Sequence, residues 1–166
     1  MLKLIYGPDP IFSQKAQPVT NVTDDTRLKI KQMFEIMYAH QGVGLGANMV
    51  GLLEKIIVID LQEGGVKQPI AMVNPRIREI SQDTQSFEEG SLSFPGISAE
   101  IIRPKSICVK YLDEHGTEKQ KHAAGWLAQV IQHEIDYLDG VIFLDYLSKL
   151  KKQTLLKKLK KTQKVL

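Results

Sequence analysis

Residues 125–138 (GWLAQVIQHEIDYL) constrain the fold more than any other stretch. Leu127, Val130, Ile131, Ile135 and Leu138 recur at helical spacing and form an apolar stripe. At about 100° per residue, Trp126, Gln129, His133 and Tyr137 form a second stripe beside it, with Glu134 between the two. The segment therefore reads as a central helix. A carboxylate at the edge of a core stripe needs a partner or a raised pKa, unless its side chain reaches solvent or a nearby amide. His133 and Glu134 also begin the pattern His-Glu-x-x-His, in which two imidazoles on one helix face bind zinc and the Glu acts as general base toward metal-bound water. Here Tyr137 stands where the second His would be, and His-Glu alone is common on ordinary helices.

The remaining elements follow from punctuation and periodicity. Pro8, Pro10 and Pro18 keep residues 1–22 extended. Thr23 or Asp24 can cap a first helix whose buried face is Ile30, Met33, Phe34, Met37 and Tyr38, ending at Gly42. Glycines at 42, 44, 46 and 51 allow positive φ or close backbone approach; the stretch reads as a loop between helix and strand, and the absence of a following Gly-Lys-Ser/Thr argues against a phosphate loop. Strands are predicted over 55–61, 69–74, 76–81, 97–102, 106–112 and 117–122, with a hairpin turn at 113–116. Cys108 reads as a packed thiol, and His40, His115 and His122 have no matching partner in the sequence. Short strands between two strong helices indicate an α+β class.

The chain of 166 residues suits one domain, and no apolar run approaches the roughly 18 residues of a membrane span. The first residues do not fit a signal or transit peptide. A single cysteine excludes an internal disulfide, which agrees with the cytoplasm as the expected location. The net charge of +3 hides an asymmetry: residues 149–166 hold eight lysines and no acid, so 14 basic residues face all 19 acidic ones elsewhere and leave −5 there. The expected division is a domain over 1–148 and a basic helix over 149–166 that belongs to it.

Gly42–Gly51, Glu88–Gly96 and His133–Tyr137 together resemble the three signature motifs of the peptide deformylases, which read roughly GxGLAAxQ, EGCLS and HExDH. Motif order, spacing and the flanking Pro8-Asp9-Pro10 and Asp145–Ser148 fit across nearly the whole chain. The resemblance implies antiparallel sheets wrapped around the motif-bearing helix, with an N-terminal and a C-terminal helix. It implies a family reaction, removal of formyl from an N-terminal formyl-methionine, run by a divalent metal such as iron, zinc or nickel. Carried over, the metal-ligand positions are Ser91, His133 and Tyr137, the general base is Glu134, and the oxyanion donors are Met49 and the Leu92 amide. Val43, Gly44, Leu45, Trp126, Gln129 and Val130 fall at peptide-binding positions, with Gln129 and Trp126 altering the pocket for the methionine side chain.

Three of those positions depart from the pattern. A thiol ionises near a pKa of about 8.5 and is a soft ligand, and the Ser91 hydroxyl is neither. Tyr137 titrates near about 10, so ligation would require a phenolate. Met49 offers no N–H, and one lost oxyanion donor costs about 100–1,000-fold in rate. No resident metal or other cofactor is expected. Three functional classes stay open. The first is a metal-free family member kept for binding nascent peptide N-termini or the ribosome. The second is a hydrolase with weakened or altered metal binding, or with Ser91 and His133 as a nucleophile–base pair. The third is a nucleic-acid-binding protein acting through its lysines. The lysine-rich helix is expected to dock by its first turns, with Leu150, Leu155, Leu156 and Leu159, and to fray toward Leu166.

Overall fold

The computed structural model describes residues 1–165. Helix α2, Gly125–Leu138, lies between two apolar clusters and contributes to both. Ala128, Val130, Ile131 and Leu138 pack with Ile57, Ile59, Met72 and Val109, whereas Tyr137 packs with Phe12, Met33, Phe94 and Phe143. The expected apolar stripe is shifted: Leu127 and Ile135 are only half-buried, while Ala128, Gln129, Gln132, His133 and Glu134 are buried. Polar residues therefore occupy a face that hydrophobic periodicity alone assigns to the margin.

Helix α1, Asp24–Ala39, starts at a reciprocal cap between Thr23 and Thr26 and buries Ile30, Met33 and Met37. Phe34 and Tyr38 are half-buried at its edge. The residue that turns the chain out of α1 is Gln41, at φ 59°, rather than Gly42. Strands β1 (Gly44–Gly46), β2 (Ile56–Ile59), β3 (Ile70–Ile80), β6 (Ser106–Leu112) and β7 (Glu118–Ala124) form an antiparallel sheet in the order β1-β2-β3-β6-β7. Strands β4 (Thr84–Ser91) and β5 (Phe94–Pro104) form a separate antiparallel pair.

Two expected strands, 69–74 and 76–81, are one. Asn74 adopts φ 51° within β3 and the ladder to β6 shifts between Val73 and Arg76, which absorbs the missing N–H of Pro75. The Asn74 side chain donates to Val19 O at 2.9 Å and accepts from Val19 N at 2.8 Å, tying the N-terminal segment to this bulge. Strand β4 was not expected at all.

Helix α3, Lys149–Val165, is capped by Ser148, whose Oγ accepts from Lys151 N at 3.2 Å. Its docking reverses the expectation. Leu150 is 75% exposed, but Leu159 is fully buried against the body of the protein. Thr162 lies over Gly96 of β5, and Gln163 Nε2 donates to Gly7 O at 2.6 Å. Leu155, Leu156, Leu159 and Thr162 share a stripe, and Leu150 lies half a turn round from Leu159, so the later turns make the contact. The expected fraying at Leu166 lies outside the described residues. Among the described residues no helix is long and apolar enough to cross a membrane.

Candidate functional site

The second stripe of α2 faces the inner side of the β4–β5 pair. On β5 the alternation that buries Ile97, Ala99 and Ile101 continues to Arg103, which is 4% exposed. Opposite it on β4, Gln85, Phe87 and Glu89 pair with Arg103, Ile101 and Ala99. Glu89 thus enters the core on the same face as a guanidinium. Arg103 donates to both of its oxygens, Nε to Oε2 at 2.6 Å and Nη2 to Oε1 at 2.9 Å. Gln129 Nε2 adds a bond to Oε2 at 2.5 Å and His133 Nδ1 one to Oε1 at 2.7 Å. The carboxylate therefore accepts four hydrogen bonds. Burial raises its pKa, but Arg103 and His133 reverse this and hold Glu89 at about 2. Arg103 extends the network outward, donating from Nη1 to Asp136 Oδ2 at 2.7 Å, and Tyr146 OH closes on the same oxygen at 2.6 Å.

That network fixes the His133 ring. An ionised Glu89 has no hydrogen to give, so Nδ1–H donates, and Nε2 has no protein partner among the described residues. Burial lowers the imidazole pKa, but the bond to Glu89 and the nearby Glu134 charge raise it overall. Phe143 stacks on the ring at a centroid distance of 5.9 Å, and Tyr137 meets it edge-on at 5.4 Å.

Ser91 and Tyr137 complete this part of the site by hydrogen bonding to each other, hydroxyl to phenol. Ser91 Oγ also accepts from Ser93 N at 3.2 Å. Tyr137 is fully buried, and burial together with the nearby carboxylates moves its phenol well above the ordinary range, despite the Ser91 bond. The proposed Ser91–His133 nucleophile–base pair is therefore not formed: Ser91 bonds Tyr137, and His133 bonds Glu89.

Glu134 is the opposite of Glu89. It is 4% exposed, and neither oxygen has a hydrogen-bond partner among the described residues; Oε1 is sealed from solvent. Burial raises its carboxyl to about 7, against the opposing pull of His133. Its Oε2 lies against Gly44: a Cβ built there would sit 2.5 Å from Oε2 and 3.0 Å from Val130 Cγ1, so a side chain at 44 would displace the Glu134 carboxyl group. Met49 is buried with its sulfur turned back to Gly46, whose N–H donates to Sδ at 3.3 Å.

A cavity of about 440 Å³ opens over these residues. Val43, Gly44, Met49, Leu92, Trp126, Gln129, Val130, His133 and Glu134 line it, joined by Ser91, Phe94 and Ile97. Leu45 does not. It is fully buried in the core, a correction to its expected place at the binding surface. Gln129 finds partners in Glu89, Ile101 O at 3.0 Å and Gln85 at 3.2 Å. Trp126 leans on Phe87, with ring centroids 5.2 Å apart, and leaves the cavity open. Periodicity did not single out Glu89 and Arg103. The signal present was the charge of Arg103 on the apolar face of an alternating strand.

The donor set does not fit the divalent metal that the resemblance implies. Ser91 and Tyr137 spend their hydroxyls on one another, the phenol is driven away from ionisation, and of the three ligand positions His133 alone offers a free ligand atom. Among the described residues no three His, Cys, Asp or Glu side chains converge to hold a metal ion. Cys108 is buried in β6, and His40, His115 and His122 are exposed and do not line the cavity.

Residues 1–153 match the polypeptide deformylase family. The chain is 50% identical over 159 residues to a peptide deformylase-like protein of Rickettsia conorii, covering 96% of this chain and 87% of that one. It is 42% identical over 167 residues to peptide deformylase 1 of the same strain, covering 97% and 95%. The crystal structure of a peptide deformylase from Ehrlichia chaffeensis in complex with actinonin superposes with a TM-score of 0.93 at 40% identity, covering 97% and 96%.

Proposed function

Because the chain belongs to the polypeptide deformylase family, we propose that it is a deformylase-like pseudoenzyme: a protein without the metal-assisted reaction that retains a groove for peptide N-termini. The Ser91–Tyr137 hydrogen bond carries this reading, because it joins two of the three positions where the family resemblance puts metal ligands. The groove supports the second half. Strand β1 is the outer strand of its sheet, β4 is free on the side away from β5, and residues of both line the cavity. Such edges offer main-chain groups to an extended chain, with the cavity ready for an end residue.

The test is elemental analysis of protein purified anaerobically without chelators, paired with a formyl-peptide assay. Far less than one transition metal per chain and no turnover above background are expected. About one metal per chain, resistant to a mild chelator, would overturn the reading in favour of an altered hydrolase, for which the free His133 Nε2 and Glu134 are the supporting features. The variant Ser91→Cys/Tyr137→His/Met49→Gln should regain metal.

The lysines of α3 support docking on a polyanion, with the ribosome as the expected surface. All are exposed except Lys152, which is half-buried and bonds Asp145. Removing α3 would confuse the test, because buried Leu159 helps hold the domain together. Neutralising Lys157, Lys160, Lys161 and Lys164 to Gln keeps the apolar stripe. If each contacts a phosphate, the slope of log affinity against log salt should fall by about 0.7–0.9 per lysine in ribosome co-sedimentation. An unchanged slope would leave these lysines as a solvated face.

A further inference from the structure

We propose that the face of the five-stranded sheet turned away from α2 carries an anion site at the β3 bulge, where Lys55, Arg76 and Lys110 take a polyphosphate group. The site is separate from the cavity beside α2 and does not depend on what that cavity binds.

Strand alternation places it. Ile77 and Val109 pair across β3 and β6 and pack in the same cluster as α2, so their neighbours Arg76 and Lys110 point to the other side of the sheet. There the register sets Arg76 directly opposite Lys110, and both are exposed. Like charges in that position repel, and a carboxylate at either residue would turn the repulsion into attraction. The protein supplies no counter-charge: among the described residues Arg76, Lys110 and Lys55 form no ion pair. Lys55 is half-buried beside the bulge, where its N–H donates to Gln17 O at 2.9 Å and its O accepts from Asn74 N at 2.8 Å.

A cavity of about 390 Å³ joins the three cations, with Pro75 and Leu112 on its wall. Lys119 also lines it, 4.0 Å from Asp113, and Glu118 is the one carboxylate in the lining. Four cations against one acid leave an excess of three positive charges in a concave surface, where their fields add. A guanidinium presents two parallel N–H donors to one phosphoryl group, and each ammonium presents up to three to another. A monoanion would leave most of the charge standing, whereas linked phosphoryl groups bring several negative charges in one compact chain.

The lysines of α3 are a competing source of phosphate binding, so the test separates the two. Calorimetric titration of the full chain uses inorganic tripolyphosphate and ATP, without divalent cations and at about 150 mM salt. Saturable binding of tripolyphosphate is expected. It should weaken at least ~10-fold in Arg76→Gln/Lys110→Gln and stay unchanged when Lys157, Lys160, Lys161 and Lys164 are all replaced by Gln. Tighter binding of ATP than of tripolyphosphate would assign a nucleotide; equal or weaker binding would assign the phosphate chain alone. Absence of saturable binding by either probe, or a loss confined to the α3 variant, would overturn the proposal. Arg76→Glu guards against a folding defect, because it sets opposite charges across the strands. Its urea midpoint should be no lower than that of the unmodified chain while binding is lost. A lower midpoint would refute the repulsion between Arg76 and Lys110 from which the site is inferred.

Discussion

Two buried carboxylates line the cavity of this protein, and their environments have opposite character. Glu89 accepts four hydrogen bonds and is held at about 2. Glu134 accepts none and is raised to about 7. The first is part of the framework: it joins β4, β5 and α2 and orients His133. The second stands unpartnered on the cavity wall. The difference separates a hydrogen-bonded framework from a carboxyl group left unpartnered on the cavity wall. Ser91 and Tyr137 bond each other, and the His133 ring beside them is oriented by its bond to Glu89.

The largest effect should come from breaking the satisfied carboxylate. Arg103→Met removes the charge opposite Glu89 and part of the support for Asp136, without opening a large void. Leaving a buried charge unpaired costs about 3–5 kcal/mol. Urea unfolding should show that loss as a lower midpoint at unchanged slope. Adding Glu89→Gln to the same chain should recover part of it, since a neutral amide replaces the stranded charge. A loss below about 1 kcal/mol would mean that Gln129 and His133 suffice for Glu89, and the network would be looser than its geometry implies.

The comparison also explains what could be read from the sequence. The buried face of α1, its start at Thr23 or Asp24, the hairpin turn at 113–116 and the course of α2 all follow from periodicity and turn chemistry, and the structure places the cap at Thr23. Motif resemblance located Ser91, His133, Glu134 and Tyr137 on one site, and the cavity brings most of them together. Strand β4 escaped because its inward positions are Gln85, Phe87 and Glu89, two of them polar. Hydrophobic alternation cannot detect a strand that buries a hydrogen-bond network in place of a side-chain core. Glu89 and Arg103 were missed for the same reason: 14 residues apart, they meet only across a β-hairpin. The α3 docking departs from the expected contact by its first turns because Leu150 faces solvent, whereas a polar pair, Thr162 and Gln163, extends the contact of buried Leu159.

The smaller effect, which sharpens the contrast, is in the pH dependence of stability. Glu89 lies below its ordinary value of 4.5, so the unfolded chain takes up its proton first, and stability falls as the pH drops from about 5 toward 2. Glu134 lies above the same value, so the folded chain holds a proton that the unfolded chain releases. Its contribution is therefore lost as the pH rises from about 4.5 through 7, on the order of 2–3 kcal/mol for a shift of that size. His133, also raised, loses its contribution in the same direction as the pH climbs past its folded value, so the unmodified chain alone cannot separate the two. Glu134→Gln separates them. The variant removes an acid that has no partner to lose, and it also removes the charge that helps keep His133 protonated. The net expectation is near-identical stability at pH 4.5 and a gain of about 1–2 kcal/mol over the unmodified chain at pH 8, read from urea midpoints at equal slope. The acid-side loss set by Glu89 should be the same in both proteins. Superimposable profiles up to pH 8 would mean that Glu134 is already compensated in solution, and the contrast between the two carboxylates would disappear.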